Sequence, residues 1–418
     1  MTALRDRTTT ALSWALLIFL LPLAPVLGSA ASIVASVVAI LLVPFVARRG
    51  VIADLAKQPA ILILIAVFVA SAVCFAITAR APRDVLFAFN FVSLPLAAAF
   101  YLALTRHVLT SDGVRTFAII CLAGTFVALV VALNDIFLRG LGYAYGFNMG
   151  PHVVARIALV TGFLSLGGLF ASRSPWRFVF YLGPLAALAV LYLSNTRGAA
   201  LALPPMVLVY FVFLLADRRD RLQAVIIAAV GIAAIAGVAL TSDRFASISR
   251  IVSDLLTGQA IADSSAMQRL DMLSAAWQLF LASPFIGYGW ANFAAAAYPI
   301  LQDTVWGGPT DPFFQFHNDV ANFAVAAGIV GVICWIALLA APVLGALMSP
   351  RDGLFRVRLY CCVQLSVAYF VFGLTDFTLG YDLPTTLYAF LTAIVLGTFR
   401  EPSAPAPASA AAVTKPAA

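Results

Sequence analysis

The stretch DPFFQFHND (311–319) marks the boundary between a polar loop and an apolar helix. Residues 242–316 before it are too polar to cross a bilayer, whereas residues 320–348 after it are almost wholly apolar. A membrane-spanning helix needs a run of about 20 apolar residues. This boundary therefore predicts a membrane protein with one large loop in water.

The composition of the whole chain agrees with that prediction. Of its 418 residues, 63% are hydrophobic and 10% are charged, and the mean hydropathy is +1.02. Soluble domains carry about 25% charged residues. The apolar runs are continuous rather than alternating, which favours helices over a β-barrel. We therefore expect an all-α polytopic membrane protein.

About twelve membrane spans are predicted from these runs. They lie near 9–28, 30–47, 59–79, 85–105, 116–138, 151–172, 176–194, 198–216, 222–241, 317–348, 358–376 and 383–399. The first run follows Arg5 and Arg7, and we expect it to remain as an uncleaved helix rather than a signal peptide. One transmembrane domain should occupy residues 1–400, with a catalytic loop at about 242–316 and a disordered tail at 401–418.

The basic residues predict the orientation. Most of the 25 Lys and Arg fall in segments on the side of the N-terminus, and cytoplasmic loops carry such an excess. We expect both termini in the cytoplasm and the large loop in the periplasm of a two-membrane bacterium, with the protein in the inner membrane. Some arginines on the far side are not explained by this rule: Arg80, Arg83, Arg139, Arg197, Arg244, Arg250 and Arg269.

Charge and cysteine content argue against other classes. The net charge of +7 reflects loop arginines, so no nucleic-acid partner is expected. All five cysteines lie in apolar runs, which is typical of small core residues, and the spacing of a disulfide framework or metal site is absent from the sequence. We expect no cofactor and no metal.

Two outer arginines are candidates for binding an anion. Residues 264–283 are predicted to form a helix, and Arg269 projects inside its apolar arc of Met267, Leu270, Leu273, Trp277, Phe280 and Leu281. Such an arginine either holds an anion in a cavity or snorkels and pairs with an acid. Arg197 follows a tight hairpin, where its planar fork would suit phosphate oxygens or serve as an interfacial anchor.

The histidines and neighbouring polar residues form a second set of candidates. His317 is one of three histidines; it is either a proton acceptor or a hydrogen-bonded residue at a helix start. Asn318 and Asp319 could cap that helix. His152 and Arg156 share a helix face, where an intramembrane arginine is functional or snorkels outward. Asp135, Asp376 and Asp382 could pair with arginines or assist catalysis.

Three segments form an ordered set that carries a resemblance. NTRGA (195–199) opens a helix, RLDMLSAAWQLFLASPFIGYGWANF (269–293) combines an arginine with a glycine-rich turn, and His317-Asn318 precedes a helix with Gly328 and Gly331. The glycine-rich part predicts a tight turn. In this order the set, over about 193–331, resembles the O-antigen ligase and polymerase superfamily. The family pattern has leucine and glutamate where this chain has Ala321 and Ala326, so no role is carried over for that glutamate.

The resemblance implies a metal-independent, inverting glycosyl transfer on the periplasmic face. The donor would be a glycan on undecaprenyl pyrophosphate, and a ligase would use a sugar hydroxyl of lipid A-core as acceptor. By motif match, Arg197 and Arg269 would bind the pyrophosphate and His317 would activate the hydroxyl. We also expect Asn318, Arg156 and His152 to contact the substrate. A polymerase extending the lipid-linked glycan is the runner-up. A transporter of lipid-linked sugars is a third alternative, which the gathering of polar residues at the outer edge disfavours.

Overall fold

The computed structural model describes residues 2–47, 50–106, 113–147, 149–171, 175–216, 264–301 and 315–399, with isolated positions 221, 225, 253 and 257. Apart from position 225, the predicted span 222–241 lies outside the described residues, as does the predicted tail 401–418.

The described chain folds into seventeen α-helices, numbered in chain order. They are α1 Thr2–Leu20, α2 Ala24–Leu27, α3 Ser29–Val46, α4 Val51–Ala56, α5 Pro59–Ile77, α6 Ser93–Arg106, α7 Gly113–Leu133, α8 Pro151–Ser165, α9 Gly167–Ala171, α10 Leu182–Ser194, α11 Arg197–Ala200, α12 Leu203–Leu215, α13 Ser264–Ala282, α14 Phe293–Leu301, α15 Asp319–Leu347, α16 Phe355–Thr375 and α17 Asp382–Thr398. The 3-10 helices Pro82–Phe91 and Pro175–Tyr181 precede α6 and α10, and the π-helical turn Asn134–Leu138 ends α7.

The predicted class is confirmed. Within the described residues, nine helical stretches are long and apolar enough to cross a membrane, and Arg7–Leu20 and Asp382–Thr398 are shorter apolar helices. Together they correspond to every predicted span except 222–241. The five cysteines are free and buried, as predicted.

The first predicted span ends too late. We expected a helix over 9–28, but α1 stops at Leu20 and a separate turn, α2, follows. Pro22 lacks the backbone N–H that a continuing helix would need, and Pro25 sits in the first turn of α2, where proline is tolerated.

The predicted helix over 264–283 is confirmed as α13, and its apolar arc around Arg269 is not the face that packs on the rest of the protein. The buried residues are Met272, Ala275, Ala276 and Leu279, whereas most of the predicted apolar arc is exposed. The small residues allow α13 to pack closely on α15. An apolar face left open is what a helix lying at a membrane surface presents.

A few central helices form one end of the bundle, where several of the predicted site residues lie. α8 is buried over nearly its whole length and packs on α7 and α10, while α16 contacts α8, α12, α15 and α17. Helices α5, α7, α10 and α16 finish at one end of the bundle, where α8, α11, α15 and α17 begin. We call this the site end.

Helix α15 is broken at Ala327 and Gly328, where the backbone leaves helical geometry. A break inside a membrane protein leaves polar backbone groups that need partners. The predicted tight turn supplies them. The N–H of Tyr288 donates to the Val325 carbonyl and the N–H of Gly289 donates to the Ala326 carbonyl, each at a distance of 2.9 Å. On the far side of the break, the N–H of Ile329 donates to the carbonyl of Pro284 at 2.7 Å. The turn therefore completes the broken helix.

Replacing Gly287 with alanine should destabilise this junction. Gly287 has φ +65°, and an added Cβ would clash with the Val325 carbonyl. Gly140 is a matched control, because its φ is +63° and nothing lies within 4 Å of the added Cβ. Gly287→Ala should therefore cost about 1–3 kcal/mol more than Gly140→Ala through overpacking. Thermal unfolding of the two variants in detergent checks this, and equal melting temperatures would contradict it.

Candidate active site

The site is built on a short connection, residues 376–381, between α16 and α17. Asp319, the first residue of α15, is fully buried beneath it. The Asp319 carboxylate accepts hydrogen bonds from the N–H groups of Thr378 and Leu379, at 2.7 and 3.0 Å. The start of α15 thereby fixes the backbone of this connection.

His317 is held in the turn immediately before α15. Its φ of +48° lies in the left-handed region, which is uncommon for a residue other than glycine. The N–H of Phe316 donates to Asn322 Oδ1 at 2.9 Å, and the N–H of Ala321 donates to Asn318 Oδ1 at 3.0 Å. Strained backbone persists only where the surroundings over-determine it, and these bonds do so on both sides of His317.

Asp376 joins three of the predicted residues. Its Oδ1 accepts from His317 Nδ1 at 2.7 Å, and its Oδ2 accepts from Arg156 Nη2 at 2.6 Å. The His152 Nε2 atom lies 3.9 Å from the same Oδ2. The side chains of Asp376 and Arg156 are only 10% and 5% exposed. The result is a continuous chain of contacts, Arg156–Asp376–His317.

Arg156 is occupied by protein groups. Its Nη1 donates to the Phe377 carbonyl at 2.9 Å and to Thr378 Oγ1 at 3.0 Å. Its guanidinium also lies 5.6 Å from the ring centroid of Phe372. Arg156 therefore ties α8 to the connection after α16 while it neutralises Asp376. With these partners, Arg156 is better placed to orient Asp376 than to contact the substrate directly.

The electrostatics of Asp376 determine how His317 is presented. Burial alone would raise the pKa of Asp376, but the positive charge of Arg156 and the His317 hydrogen bond lower it well below its ordinary value. An ionised carboxylate only accepts hydrogen bonds. In the neutral ring of His317 the hydrogen is therefore on Nδ1, and Nε2 presents its lone pair.

The same shift makes Asp376 a source of stability over most of the pH range. The pKa of Asp376 is lower in the folded protein than in an unfolded chain, where the pKa of an aspartate is about 3.9. The stabilisation is therefore fully present above that value and is lost as the pH falls through the folded-state pKa. At neutral pH the carboxylate remains charged and paired.

The two predicted phosphate-binding arginines lie at the same end of the bundle. Arg197 begins α11 and its side chain is exposed. The next residue, Gly198, accepts a hydrogen bond through its carbonyl from Thr375 Oγ1 at 3.3 Å, which places α11 beside Asp376. Arg269 is exposed on α13 and lies close enough to His152 to interact with it electrostatically.

The structure thus brings the predicted site residues together but gives them different surroundings. Of the two residues predicted to cap α15, Asn318 does so and also donates from Nδ2 to the Leu374 carbonyl at 3.0 Å. Asp319 instead binds the connection after α16. A direct contact of Asn318, Arg156 or His152 with substrate stays a prediction.

Asp376 is the residue that sequence reasoning did not single out. It was one of three carboxylates expected near the surface. The structure separates them: Asp135 pairs with Arg139 at 2.7 Å, and Asp382 opens α17. The signal in the sequence was an intramembrane arginine, Arg156, which needs a carboxylate partner at a similar depth.

This fold and this site define a polytopic membrane protein with a histidine–carboxylate pair and arginines at one end. Residues 182–336 match the family model described as O-antigen ligase. This segment, which includes Arg197, Arg269 and His317, is similar to the O-antigen ligase family, and the match supports the resemblance to that superfamily. The family comprises membrane enzymes of the O-antigen ligase and polymerase type, which transfer glycans. No curated protein sequence matches the chain.

The buried pair should show strong energetic coupling. Arg156→Gln or Asp376→Asn alone leaves a buried charge without its partner, which costs about 3–5 kcal/mol, so the double variant should lose much less than the two losses combined. The pair Arg139 and Asp135 is a matched control, because its length of 2.7 Å is close to the 2.6 Å of the buried pair, but Arg139 is 39% exposed, and solvent should weaken its coupling. Chemical unfolding of all variants measures both cycles, and additive losses at Arg156 and Asp376 would contradict the account.

Proposed function

We propose that the protein is an O-antigen ligase. It transfers a glycan from undecaprenyl pyrophosphate to a sugar hydroxyl of lipid A-core, with inversion and without a metal ion. The observation that carries the proposal is the hydrogen bond of 2.7 Å between His317 and the buried, ionised Asp376, beside arginines of the matched segment. We also propose that the protein lies in the inner membrane with both termini cytoplasmic and the site end facing the periplasm.

His317 is the proposed general base. Its Nε2 takes the proton of the acceptor hydroxyl while that oxygen attacks the anomeric carbon of the donor sugar. The ring becomes positively charged as it gains the proton. Asp376, only 2.7 Å from Nδ1, stabilises that charge and fixes the direction of the ring. Arg156 keeps Asp376 ionised and in place.

Arg197 and Arg269 are proposed to stabilise the negative charge of the leaving group. As the new bond forms on one face of the anomeric carbon, the bond to the pyrophosphate oxygen breaks on the other face, so the configuration is inverted. Negative charge develops on the departing undecaprenyl pyrophosphate. Arg197 and Arg269 provide fixed positive charge with a geometry suited to phosphate oxygens. That charge can take the place of the metal ion that many glycosyltransferases use.

The loop around residues 242–316 is part of this proposed machinery. Its described portion contains α13 and α14, and the turn between them completes the broken helix α15. The loop therefore links Arg269 on α13 to the helix that begins just after His317. We propose that the loop, with one transmembrane domain over residues 1–400, forms a single catalytic unit.

A polymerase is the second candidate. The family match applies to ligases and polymerases alike, and the same base and arginines would serve an acceptor hydroxyl on another lipid-linked glycan. The two functions differ in the acceptor, so cellular glycans distinguish them.

The function is tested by analysing envelope glycans and lipid-linked intermediates in cells that lack the protein. A ligase predicts bare lipid A-core, with long polymer accumulating on the lipid carrier. Lipid A-core capped by a single repeat would indicate a polymerase. Single repeats held on the cytoplasmic face, with uncapped core, would contradict both and indicate a transporter.

Removing the base should abolish transfer without unfolding the protein. Asparagine is the suitable replacement for His317, because it tolerates the left-handed backbone that this position requires. His317→Asn should lower the rate of transfer by about 10²–10⁴-fold, the usual contribution of general acid–base catalysis. Rates measured with purified protein, together with its melting temperature, check this. A folded variant with near-normal activity would remove His317 as the base.

Replacing Arg269 with lysine should be far more damaging than the retained charge suggests. Lysine keeps a positive charge but loses the planar fork that binds two phosphate oxygens at once. Arg83→Lys is the matched control, since Arg83 is also an exposed arginine but lies outside the proposed site. We expect Arg269→Lys to lower kcat/KM by at least about tenfold, the loss of one charge-assisted hydrogen bond, and Arg83→Lys to leave it unchanged. Equal activities would count against pyrophosphate binding at Arg269.

A further inference from the structure

The connection between α7 and α8 presents exposed aromatic side chains at the site end. In this connection, residues 139–150, Tyr143, Tyr145 and Phe147 are 41%, 38% and 48% exposed. The rings of the two tyrosines lie 5.8 Å apart with their planes tilted by 44°. We call residues 143–147 the aromatic loop.

The backbone of the aromatic loop is firmly held. Asp135 is fully buried, and its Oδ2 accepts hydrogen bonds from the N–H groups of Tyr145 and Gly146 at 2.8 and 2.6 Å. Ala144, between the two tyrosines, is also fully buried and donates its N–H to the Leu193 carbonyl at 3.0 Å. The exposed rings are therefore carried on a fixed support, as a preformed binding surface requires.

Phe147 adds an indication of function. Its φ of +44° is a left-handed conformation that is strained for a bulky residue, yet nearly half of the side chain is exposed. Neighbouring Gly146 packs so closely on α8 that an added Cβ would clash with Val154. Burial does not account for a strained and exposed aromatic residue, and such outliers cluster at ligand-binding sites.

The aromatic loop is tied to two segments of the candidate active site. Leu193, which accepts the hydrogen bond from Ala144, lies in the last turn of α10 just ahead of Arg197. Gly150 donates its N–H to the Tyr145 carbonyl at 3.1 Å, and a Cβ on Gly150 would lie 2.9 Å from the ring of His152. The loop therefore extends between the proposed pyrophosphate ligand Arg197 and the residues gathered on Asp376.

We propose that the aromatic loop is the subsite for the first sugar rings of the donor glycan. The C–H faces of sugars suit the electron-rich faces of aromatic rings, and tyrosine adds a hydroxyl that can bond to a sugar hydroxyl. The donor is favoured over the acceptor because its first sugar is bonded directly to the pyrophosphate, which Arg197 would hold at the end of this loop. The inference rests on the proposed function and assigns part of its substrate.

A position at the membrane interface is the main alternative for exposed aromatic residues. Phe137 and Leu138, at the end of the apolar helix α7, fit that description well because they are highly exposed and precede the polar connection. The aromatic loop differs in its surroundings, because its partner Leu193 lies just ahead of Arg197 and its partner Gly150 lies against His152. Phe137 therefore provides a matched control for an aromatic residue in contact with lipid.

The test measures donor and acceptor kinetics separately with the purified full-length protein. Tyr143→Ala and Tyr145→Ala should each raise the KM for a pyrophosphate-linked glycan donor about five- to tenfold, the usual worth of one aromatic contact. The KM for the acceptor should stay unchanged. Tyr143→Phe and Tyr145→Phe should retain most of the affinity, and Phe137→Ala should behave as the wild type.

A rise confined to the acceptor KM would overturn the assignment. Unchanged kinetics with poorer membrane extraction or a lower melting temperature would also overturn it and indicate an interfacial anchor.

Binding without turnover separates this inference from the proposed function. Retention of a fluorescently labelled donor on the immobilised protein needs no transfer. Binding by the wild type that the alanine variants lose, together with no transfer to lipid A-core, would support the subsite and contradict the ligase. Normal transfer with undiminished donor binding in those variants would contradict the subsite and leave the ligase in place.

Discussion

The ion pair between Arg156 and Asp376 governs the architecture of the site. An arginine buried at the end of a membrane helix is costly unless it meets an opposite charge and further hydrogen-bond acceptors. Arg156 meets Asp376 at 2.6 Å and also donates to the Phe377 carbonyl and the Thr378 hydroxyl. Because these partners follow α16, the pair holds α8 against the end of α16. Asp319 secures the same connection from α15. Three helices distant in sequence are thus locked around one carboxylate.

The second constraint is the broken helix α15. The break at Gly328 separates the segment 319–327 from the rest of α15, and Asp319 at its start binds the connection after α16. The carbonyls exposed by the break are satisfied by the turn at Tyr288 and Gly289. That turn also joins α13 to α14, so the position of Arg269 depends on the same junction that supports the helix after His317. The hydrogen bonds at the break in α15 therefore help to position both Arg269 and His317.

Much of the fold was predictable because a bilayer demands long apolar helices, and hydropathy reports them directly. The end of α1 at Leu20, before Pro22, was missed because the apolar run continues beyond it. The buried face of α13 could not be read from the sequence, because a helical wheel shows which face is apolar, not whether that face meets protein or lipid. The pairing of Arg156 with Asp376 joins residues 220 positions apart; the sequence indicates that Arg156 needs a carboxylate partner but does not select one among Asp135, Asp376 and Asp382. The order of the motifs around Arg197, Arg269 and His317 predicted the family, whereas composition alone predicted only the class.

The account as a whole depends on the direction in which His317 presents its ring. A buried, ionised Asp376 places the hydrogen on Nδ1 and leaves Nε2 to accept a proton. Nitrogen NMR of the protein labelled at its histidines, in liposomes at a pH where the rings are neutral, measures this directly. With three histidines in the chain, the His317→Asn variant assigns the signals. We predict a protonated Nδ1 and an unprotonated Nε2 at His317, and loss of that preference in Asp376→Asn. An Nε2-protonated ring in the wild type would contradict the account.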